Sequence, residues 1–205
     1  LKPAMLDRAA TALIKPVINR LARVAVRVGL TANQMTLIGF MIGLVAAILI
    51  ASHAYLAGAA AILLSRLGDA LDGAMARQKQ PTDAGGFLDI ALDFLFYAAI
   101  PLAFAVAQPQ TNALAAAVLL AAFIGTGSSF LAFAVMATKR GMTSLDYPSK
   151  SFYFLGGLTE ATETLVCFMA MCLWPQHFSE IAYVFAALCA ATIVMRIGWG
   201  WRQFS

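Results

Sequence analysis

The order of apolar and polar residues divides this chain into six apolar stretches joined by short polar segments. Each stretch is about 20 residues long, which is the length that an α-helix needs to cross a ~30 Å hydrocarbon core. The segments between them leave no room for a free-standing soluble domain. The pattern therefore predicts an all-α, polytopic membrane protein with spans at roughly 34–53, 56–77, 87–107, 112–136, 151–174 and 181–202.

The first residues have a different pattern, in which apolar and basic side chains separate onto two faces of a helix. The apolar face contains Leu6, Leu13, Ile14, Val17, Leu21, Val24 and Val28, and the basic face contains Arg8, Lys15, Arg23 and Arg27. Such a helix lies along a membrane surface and is attracted to anionic lipids. We therefore expect one membrane-embedded domain, 1–205, with an amphipathic surface helix at 3–28 and a six-helix transmembrane bundle at 34–202.

Composition agrees with this architecture. Hydrophobic residues make up 61% of the 205 positions and charged residues 12%, and the mean hydropathy is +0.81, which is outside the range of soluble domains. The formal net charge of +4 comes largely from residues 3–28, so the basic character predicts membrane lipids as a partner and not a nucleic acid.

The distribution of basic residues predicts the orientation of the spans. The polar segments near His53, at 108–111 and at 175–180 contain no Lys or Arg. If the N-terminus is cytoplasmic, those segments face outward and the basic residues gather on the inner side, as the positive-inside rule requires. We therefore expect an inner-membrane protein with both termini in the cytoplasm. The residues on the inner side are Lys2, Arg8, Lys15, Arg20, Arg23, Arg27, Arg77, Lys79, Lys139, Arg140, Lys150 and Arg202.

Four carboxylates lie inside this apolar chain, close to the predicted inner surface. Asp69 and Asp72 are spaced i and i+3, and Asp89 and Asp93 are spaced i and i+4, so each pair shares one helix face. The polar turn at 78–86 makes the two helices antiparallel neighbours. Ionised groups at this depth are costly, and four acids together require cationic compensation. Carboxylate oxygens suit Mg²⁺ or Mn²⁺, which share their coordination with substrate phosphates. We therefore predict two such ions.

These residues belong to a longer pattern that resembles the motif of the CDP-alcohol phosphatidyltransferases, D-x2-D-G-x2-A-R-x8-G-x3-D-x3-D. All eight named positions are matched, and they are Asp69, Asp72, Gly73, Ala76, Arg77, Gly85, Asp89 and Asp93. One departure is a spacer of seven residues, in place of eight, between Arg77 and Gly85. The segment Thr31-Ala-Asn33 is also similar to the polar start of the family's first membrane helix.

The resemblance implies an enzyme that moves a phosphatidyl or related phospho-lipid group from a CDP-linked donor, such as CDP-diacylglycerol, to an alcohol and releases CMP. It implies Asp93 as the catalytic base, and Asp69, Asp72, Asp89 and Asp93 as the metal ligands. It implies a homodimer as well. The residues expected to bind the nucleotide and the donor are Gly73, Ala76, Arg77, Gly85, Asn33 and Thr82.

The acceptor is less constrained. Surplus positive charge near the opening predicts a phosphorylated alcohol, such as glycerol 3-phosphate or an inositol phosphate. Its phosphate would be bound by some of Arg196, Lys139, Arg140 and Lys150. Arg66, Glu160 and Glu163 lie at comparable depth in their predicted spans, and we expect an Arg–Glu ion pair there. If the two glutamates are unpaired, they would favour a cationic acceptor instead.

Three alternatives remain open at this point. The acceptor can be serine or an amino alcohol within the same family. An intramembrane prenyltransferase also binds a diphosphate through acidic helices, although it normally has two separate acidic motifs. A transporter also retains buried acids, but it has no need of glycine, alanine and arginine beside them.

Overall fold

The computed structural model describes residues 4–79, 81–142, 159 and 161–205, and this part of the chain is all-helical. Seven α-helices follow one another: α1 (Ala4–Arg27), α2 (Ala32–Ala51), α3 (Tyr55–Lys79), α4 (Asp83–Ala107), α5 (Pro109–Lys139), α6 (Ala161–Leu173) and α7 (Phe178–Phe204). A 3₁₀ turn at Pro175–His177 precedes α7. The predicted all-α class is confirmed for this part of the chain, and α1 covers the segment predicted as a surface helix at 3–28. The location of α1 at a membrane surface stays a prediction.

Four helices of the described chain are long and apolar enough to cross a membrane: α2, α4, α5 and the run Pro175–Phe204 that contains α7. The charged residues Arg66, Asp69, Asp72 and Arg77 exclude α3 from this group. The helix α6 has 13 residues, or about 20 Å at 1.5 Å per residue, and the start of the span predicted at 151–174 lies outside the described residues. Six membrane spans therefore stay a prediction, and four of them are supported by length and apolarity.

The chain divides into two compact units, 1–46 with 60–96, and 47–59 with 97–205. In the first unit, α1 packs against α3 through a cluster formed by Ile18, Ala22, Ala25, Ala74 and Met75. The small alanines allow the two helices to approach closely. Four of the residues predicted as the apolar face, Val17, Leu21, Val24 and Val28, form a separate stripe that is between 43% and 70% accessible, as expected of a face turned towards lipid.

The contact between α2 and α3 is also built from small residues. A Cβ atom added to Gly68 would lie 3.0 Å from the Cα of Gly39, so neither position has room for a side chain. The Ser65 hydroxyl donates a hydrogen bond of 2.7 Å to the Gly39 carbonyl. A Cβ atom on Gly43 would lie 2.5 Å from a ring carbon of Phe96, which is buried. The glycines of α2 thus allow α3 and Phe96 of α4 to pack closely against α2.

The second unit is held together by aromatic side chains and by contacts between α5 and α7. Phe123 makes edge-to-face contacts with Phe168 and Phe185, which is a favoured geometry for aromatic pairs. A second stack joins Tyr55, Phe104 and Phe178. The Asn112 amide donates to the Phe104 carbonyl, so polar groups at this end are satisfied within the unit.

Replacing Gly43 with alanine tests the close approach in the first unit. The added methyl group meets the rigid ring of Phe96, so we expect the Gly43→Ala protein to lose about 1–3 kcal/mol of stability, as overpacked cores do. Thermal unfolding in detergent measures the change. Gly198→Ala is the matched control, because an added Cβ there meets nothing within 4 Å. Equal melting temperatures for the two variants would contradict this packing.

Candidate active site

The acidic residues are brought together by the turn between α3 and α4. Asp69 and Asp72 lie on the last turns of α3, and Asp89 and Asp93 lie on the first turns of α4. One carboxylate oxygen from each of Asp69, Asp89 and Asp93 lies within 4.8 Å of the other two. Three anionic groups at this separation repel one another strongly unless a cation compensates them, and their hard oxygen atoms are the donors that Mg²⁺ and Mn²⁺ prefer.

The fourth acid, Asp72, is 6% exposed and is the most buried of the four. Within the described chain, its Oδ2 atom is buried and has no hydrogen-bond partner. A buried carboxylate oxygen in this state costs free energy unless a ligand satisfies it. The burial of Asp72 and the separation of the other three acids both fit a divalent cation.

Arg66 contacts the same acids from α3. Its Nη1 atom donates a hydrogen bond of 2.7 Å to Asp93 Oδ1 and lies 3.7 Å from Asp69 Oδ1. The sequence analysis did not identify these contacts, although the i, i+3 spacing of Arg66 and Asp69 is a signal that could have revealed one of them. Of the expected partners, Glu160 lies outside the described residues, and Glu163 is exposed on α6 in the second unit. An Arg66–Glu pair therefore stays a prediction.

Two adjoining spaces open beside the acids. A crevice of about 10 Å³, the size of one water molecule or ion, is lined by Arg66, Asp69, Asp89 and Asp93 among others. A cavity of about 480 Å³ lies next to it and shares Thr36 and Asp89 with the crevice. The larger volume lies within the range of small-molecule sites.

All six residues predicted to bind the donor line this larger cavity, and they are Asn33, Gly73, Ala76, Arg77, Thr82 and Gly85. Two helix N-termini position several of them. At the start of α2, the Gln34 backbone N–H donates to the Thr31 hydroxyl, and the Thr31 backbone N–H donates to the Gln34 side-chain carbonyl. This pair of bonds is a capping box. Thr82 accepts a hydrogen bond from the Gly85 amide at the start of α4, as an N-cap residue does.

Gly85 leaves no space for a side chain at this point. A Cβ atom there would lie 2.9 Å from Asn33 Oδ1 and 3.1 Å from Thr82 Oγ1. At Gly73, by contrast, the nearest atom to an added Cβ is Arg77 Nη1 at 3.4 Å. A side chain at position 85 would therefore displace the side chains of Asn33 and Thr82, whereas at position 73 glycine mainly leaves the cavity open beside the arginine.

The helix α1 and the residues after it form part of the cavity wall. The sequence analysis did not predict this contribution. Val26 at the end of α1 and Leu30 after it line the wall, together with Met75 of α3. These residues also belong to or pack against the cluster that joins α1 to α3. Their apolar character is typical of any packed interface, so no sequence signal distinguished them.

The predicted acceptor residues lie in the second unit. Arg196 is 7% exposed and donates to the Thr126 carbonyl at 2.7 Å and to the Ser129 hydroxyl at 3.3 Å. Arg140 donates to the last carbonyl groups of α7, those of Gln203 and Phe204, and so caps that helix. Lys139 is exposed, and Lys150 lies outside the described residues. Two of the four residues therefore have structural contacts, and acceptor binding by any of them stays a prediction.

Comparison with known proteins decides the family. Residues 29–198 match the family described as CDP-alcohol phosphatidyltransferase. The chain belongs to this family. The predicted enzyme class is therefore confirmed, and the prenyltransferase and transporter alternatives have no support.

Several relatives are similar in sequence. The inner membrane protein YnjF of Escherichia coli is 52% identical over 197 residues, or 96% of each chain. The archaetidylinositol phosphate synthase of Methanothermobacter thermautotrophicus is 43% identical over 83 residues, which is 40% of this chain and 43% of that protein. The synthase of the same name from Pyrococcus horikoshii is 34% identical over 88 residues, or 42% of this chain and 47% of that protein.

Solved structures agree in fold. The phosphatidylinositol phosphate synthase PgsA1 of Mycobacterium tuberculosis, with CDP-DAG bound, has a TM-score of 0.67 at 23% identity, over 91% of this chain and 94% of that one. The same enzyme in complex with manganese and citrate has a TM-score of 0.71 at 24% identity, over 90% and 88% of the two chains. At this identity the similarity concerns the fold alone.

Replacing Gly85 with alanine tests the geometry of the cavity. The methyl group displaces Asn33 and Thr82, so we expect the affinity for a CDP-linked lipid to fall by about tenfold, or roughly 1.4 kcal/mol. Gly198→Ala is the matched control, because an added Cβ there meets nothing within 4 Å and the residue does not line the cavity, so the affinity should remain at the wild-type value. Calorimetric titration of both variants with CDP-diacylglycerol measures the difference, and equal losses would contradict a steric role specific to Gly85.

Proposed function

We propose that this enzyme transfers a phosphatidyl group from CDP-diacylglycerol to the hydroxyl group of a phosphorylated alcohol and releases CMP. The most favoured acceptor is an inositol phosphate, followed by glycerol 3-phosphate. The observation that carries the proposal is the convergence of the Asp69, Asp89 and Asp93 carboxylates within 4.8 Å of one another, beside the cavity lined by all six predicted donor residues.

The donor chemistry accounts for this arrangement. The acyl chains of the donor stay in lipid while its nucleotide diphosphate enters the polar cavity, where Arg77 provides positive charge. We assign the metal positions to Asp69, Asp72, Asp89 and Asp93. Two Mg²⁺ or Mn²⁺ ions, when bound, would supply the charge that binds the diphosphate and stabilises the departing CMP.

Asp93 would act on the acceptor. Its carboxylate takes the proton from the acceptor hydroxyl, the hydroxyl oxygen bonds to the phosphatidyl phosphorus, and the bond from that phosphorus to the CMP oxygen breaks. Asp93 is suited to this step because it is part of the cluster but is still 34% exposed at its side chain, so a polar substrate can reach it.

The relatives support a phosphorylated acceptor. Two of them are named archaetidylinositol phosphate synthases, and the structural neighbours are phosphatidylinositol phosphate synthases. These names describe those proteins, and for this chain they favour an inositol phosphate over serine or an amino alcohol. Of the basic residues predicted for the acceptor phosphate, we propose Lys139, because it is exposed, whereas Arg196 is 7% exposed and bonded within its own unit.

The location proposed for the enzyme is the inner membrane, with both termini and the site on the cytoplasmic side. The E. coli relative is described as an inner membrane protein, and the distribution of basic residues supports the orientation. We also propose six spans and a homodimer, the latter from the family resemblance alone.

Substitution of the acids separates their roles. Asp69→Asn and Asp72→Asn should weaken Mn²⁺ and CDP-lipid binding at least tenfold, because they remove ligand charge. Asp93→Asn should abolish turnover while a larger share of donor binding remains, because it removes the base. Turnover in each variant is compared with Mn²⁺ and CDP-lipid titrations. Full wild-type activity in excess EDTA, with metal-free protein confirmed by elemental analysis, would contradict the metal assignment.

An acceptor screen tests the substrate. Purified enzyme with CDP-diacylglycerol should release CMP with an inositol phosphate and form the matching phospholipid, identified by mass spectrometry. Lys139→Gln should raise the acceptor KM several-fold with donor affinity unchanged, whereas the control Arg20→Gln, which removes an exposed charge from α1, should not. Turnover with serine or an amino alcohol, and none with any phosphorylated alcohol, would exclude the proposed acceptor class.

A further inference from the structure

The guanidinium group of Arg66 occupies a position that family membership does not explain. It lies outside the eight-residue acidic motif, yet it bonds Asp93 Oδ1 at 2.7 Å and approaches Asp69 Oδ1 to 3.7 Å. Both acids belong to the trio whose oxygen atoms converge. Arg66 therefore contacts two of the four carboxylates that we assign to the metal ions.

The guanidinium group is held there by neighbours that are not acidic. Its central carbon lies 4.0 Å from the centroid of the Phe96 ring, which is a cation–π distance. Phe96 is 1% exposed, and the absence of a side chain at Gly43 leaves room for its ring. The Arg66 side chain itself is 15% exposed. Packing between α2, α3 and α4 thus orients the arginine towards the acids, so the contact is built into the fold.

We propose that Arg66 is the resident counter-ion of the carboxylate cluster. In the metal-free protein it compensates Asp69 and Asp93, and it competes with divalent cations for the same oxygen atoms, so it sets the affinity of the metal site. This inference rests on the proposed function for the identity of the ligands. Arg66 is a positioning residue in this account, because it acts through Asp69 and Asp93 and not on the substrate.

The physical basis is the repulsion between like charges that lie a few ångströms apart in a partly buried site. A carboxylate that accepts a hydrogen bond from an arginine is partly neutralised and attracts a divalent ion less strongly, and the arginine also repels that ion directly. By linkage, the contact of Arg66 with the acids and the binding of the divalent ion weaken each other by the same factor. Arg66 therefore stabilises the protein without metal and lowers its affinity for metal.

Titration of the full-length protein in detergent with Mn²⁺ tests the inference, with free Mn²⁺ measured by electron paramagnetic resonance after removal of bound metal. We expect Arg66→Gln to bind Mn²⁺ about tenfold more tightly than the wild type, because the competing charge is lost. Arg66→Lys should bind Mn²⁺ about threefold more tightly, because it keeps a positive charge but lacks the planar guanidinium group that lies over the Phe96 ring and is held against the two acids. Arg23→Gln, which removes an exposed arginine of α1, should match the wild type.

Thermal unfolding provides a second readout. The melting temperature of Arg66→Gln should fall below the wild-type value in EDTA, and this deficit should shrink or disappear in saturating Mn²⁺. An arginine with a purely structural role would cause the same deficit in both conditions, and that result would overturn the inference. If Arg66→Gln cannot be obtained folded, Arg66→Lys is tested in the same two measurements.

The outcomes separate this inference from the proposed function. If the wild type binds Mn²⁺ and the Arg66 variants bind it equally or more weakly, the counter-ion role is overturned. The proposed metal site then still stands. Failure of the wild type to bind Mn²⁺ at all would overturn the metal assignment, and the counter-ion role with it. Tighter binding by both variants, together with a deficit restricted to EDTA, would support the proposal.

Discussion

The need to compensate carboxylates within apolar helices governs the structure around the site. Asp69, Asp89 and Asp93 come within 4.8 Å of one another, and Asp72 is almost fully buried beside them. Such a concentration of negative charge is costly without a matching cation. The contact from Arg66 at 2.7 Å supplies part of that match, and divalent ions are the ligands that suit the rest.

Small residues make this concentration of charge sterically possible. Gly39 and Gly68 let α2 and α3 approach one another, and Gly43 admits the ring of Phe96 beneath Arg66. Gly85 does the same for the start of α4, where Asn33 lies close to its backbone. Helix packing and site electrostatics are therefore coupled, because a side chain added at these glycines would displace the residues that hold the charged groups.

The first unit contains two spaces with different chemistry. The crevice between Arg66 and the acids has room for about one ion, whereas the adjoining cavity of about 480 Å³ contains the capped starts of α2 and α4, Arg77, and an apolar wall from the end of α1. The end of α1 therefore forms part of the cavity wall, which gives this helix a direct contribution to the site.

The sequence by itself determined the helices, the family and the identity of the acidic residues. Apolar stretches of about 20 residues and the fixed spacing of eight motif positions are local properties, and local patterns can be read without coordinates. The partner of Arg66, the structural contacts of Arg140 and Arg196, and the part of α1 in the cavity wall were decided only by the tertiary structure. Each of these depends on which helices become neighbours and at what rotation. Spacing along one helix does not contain that information, so the choice among partners is made only when the helices pack.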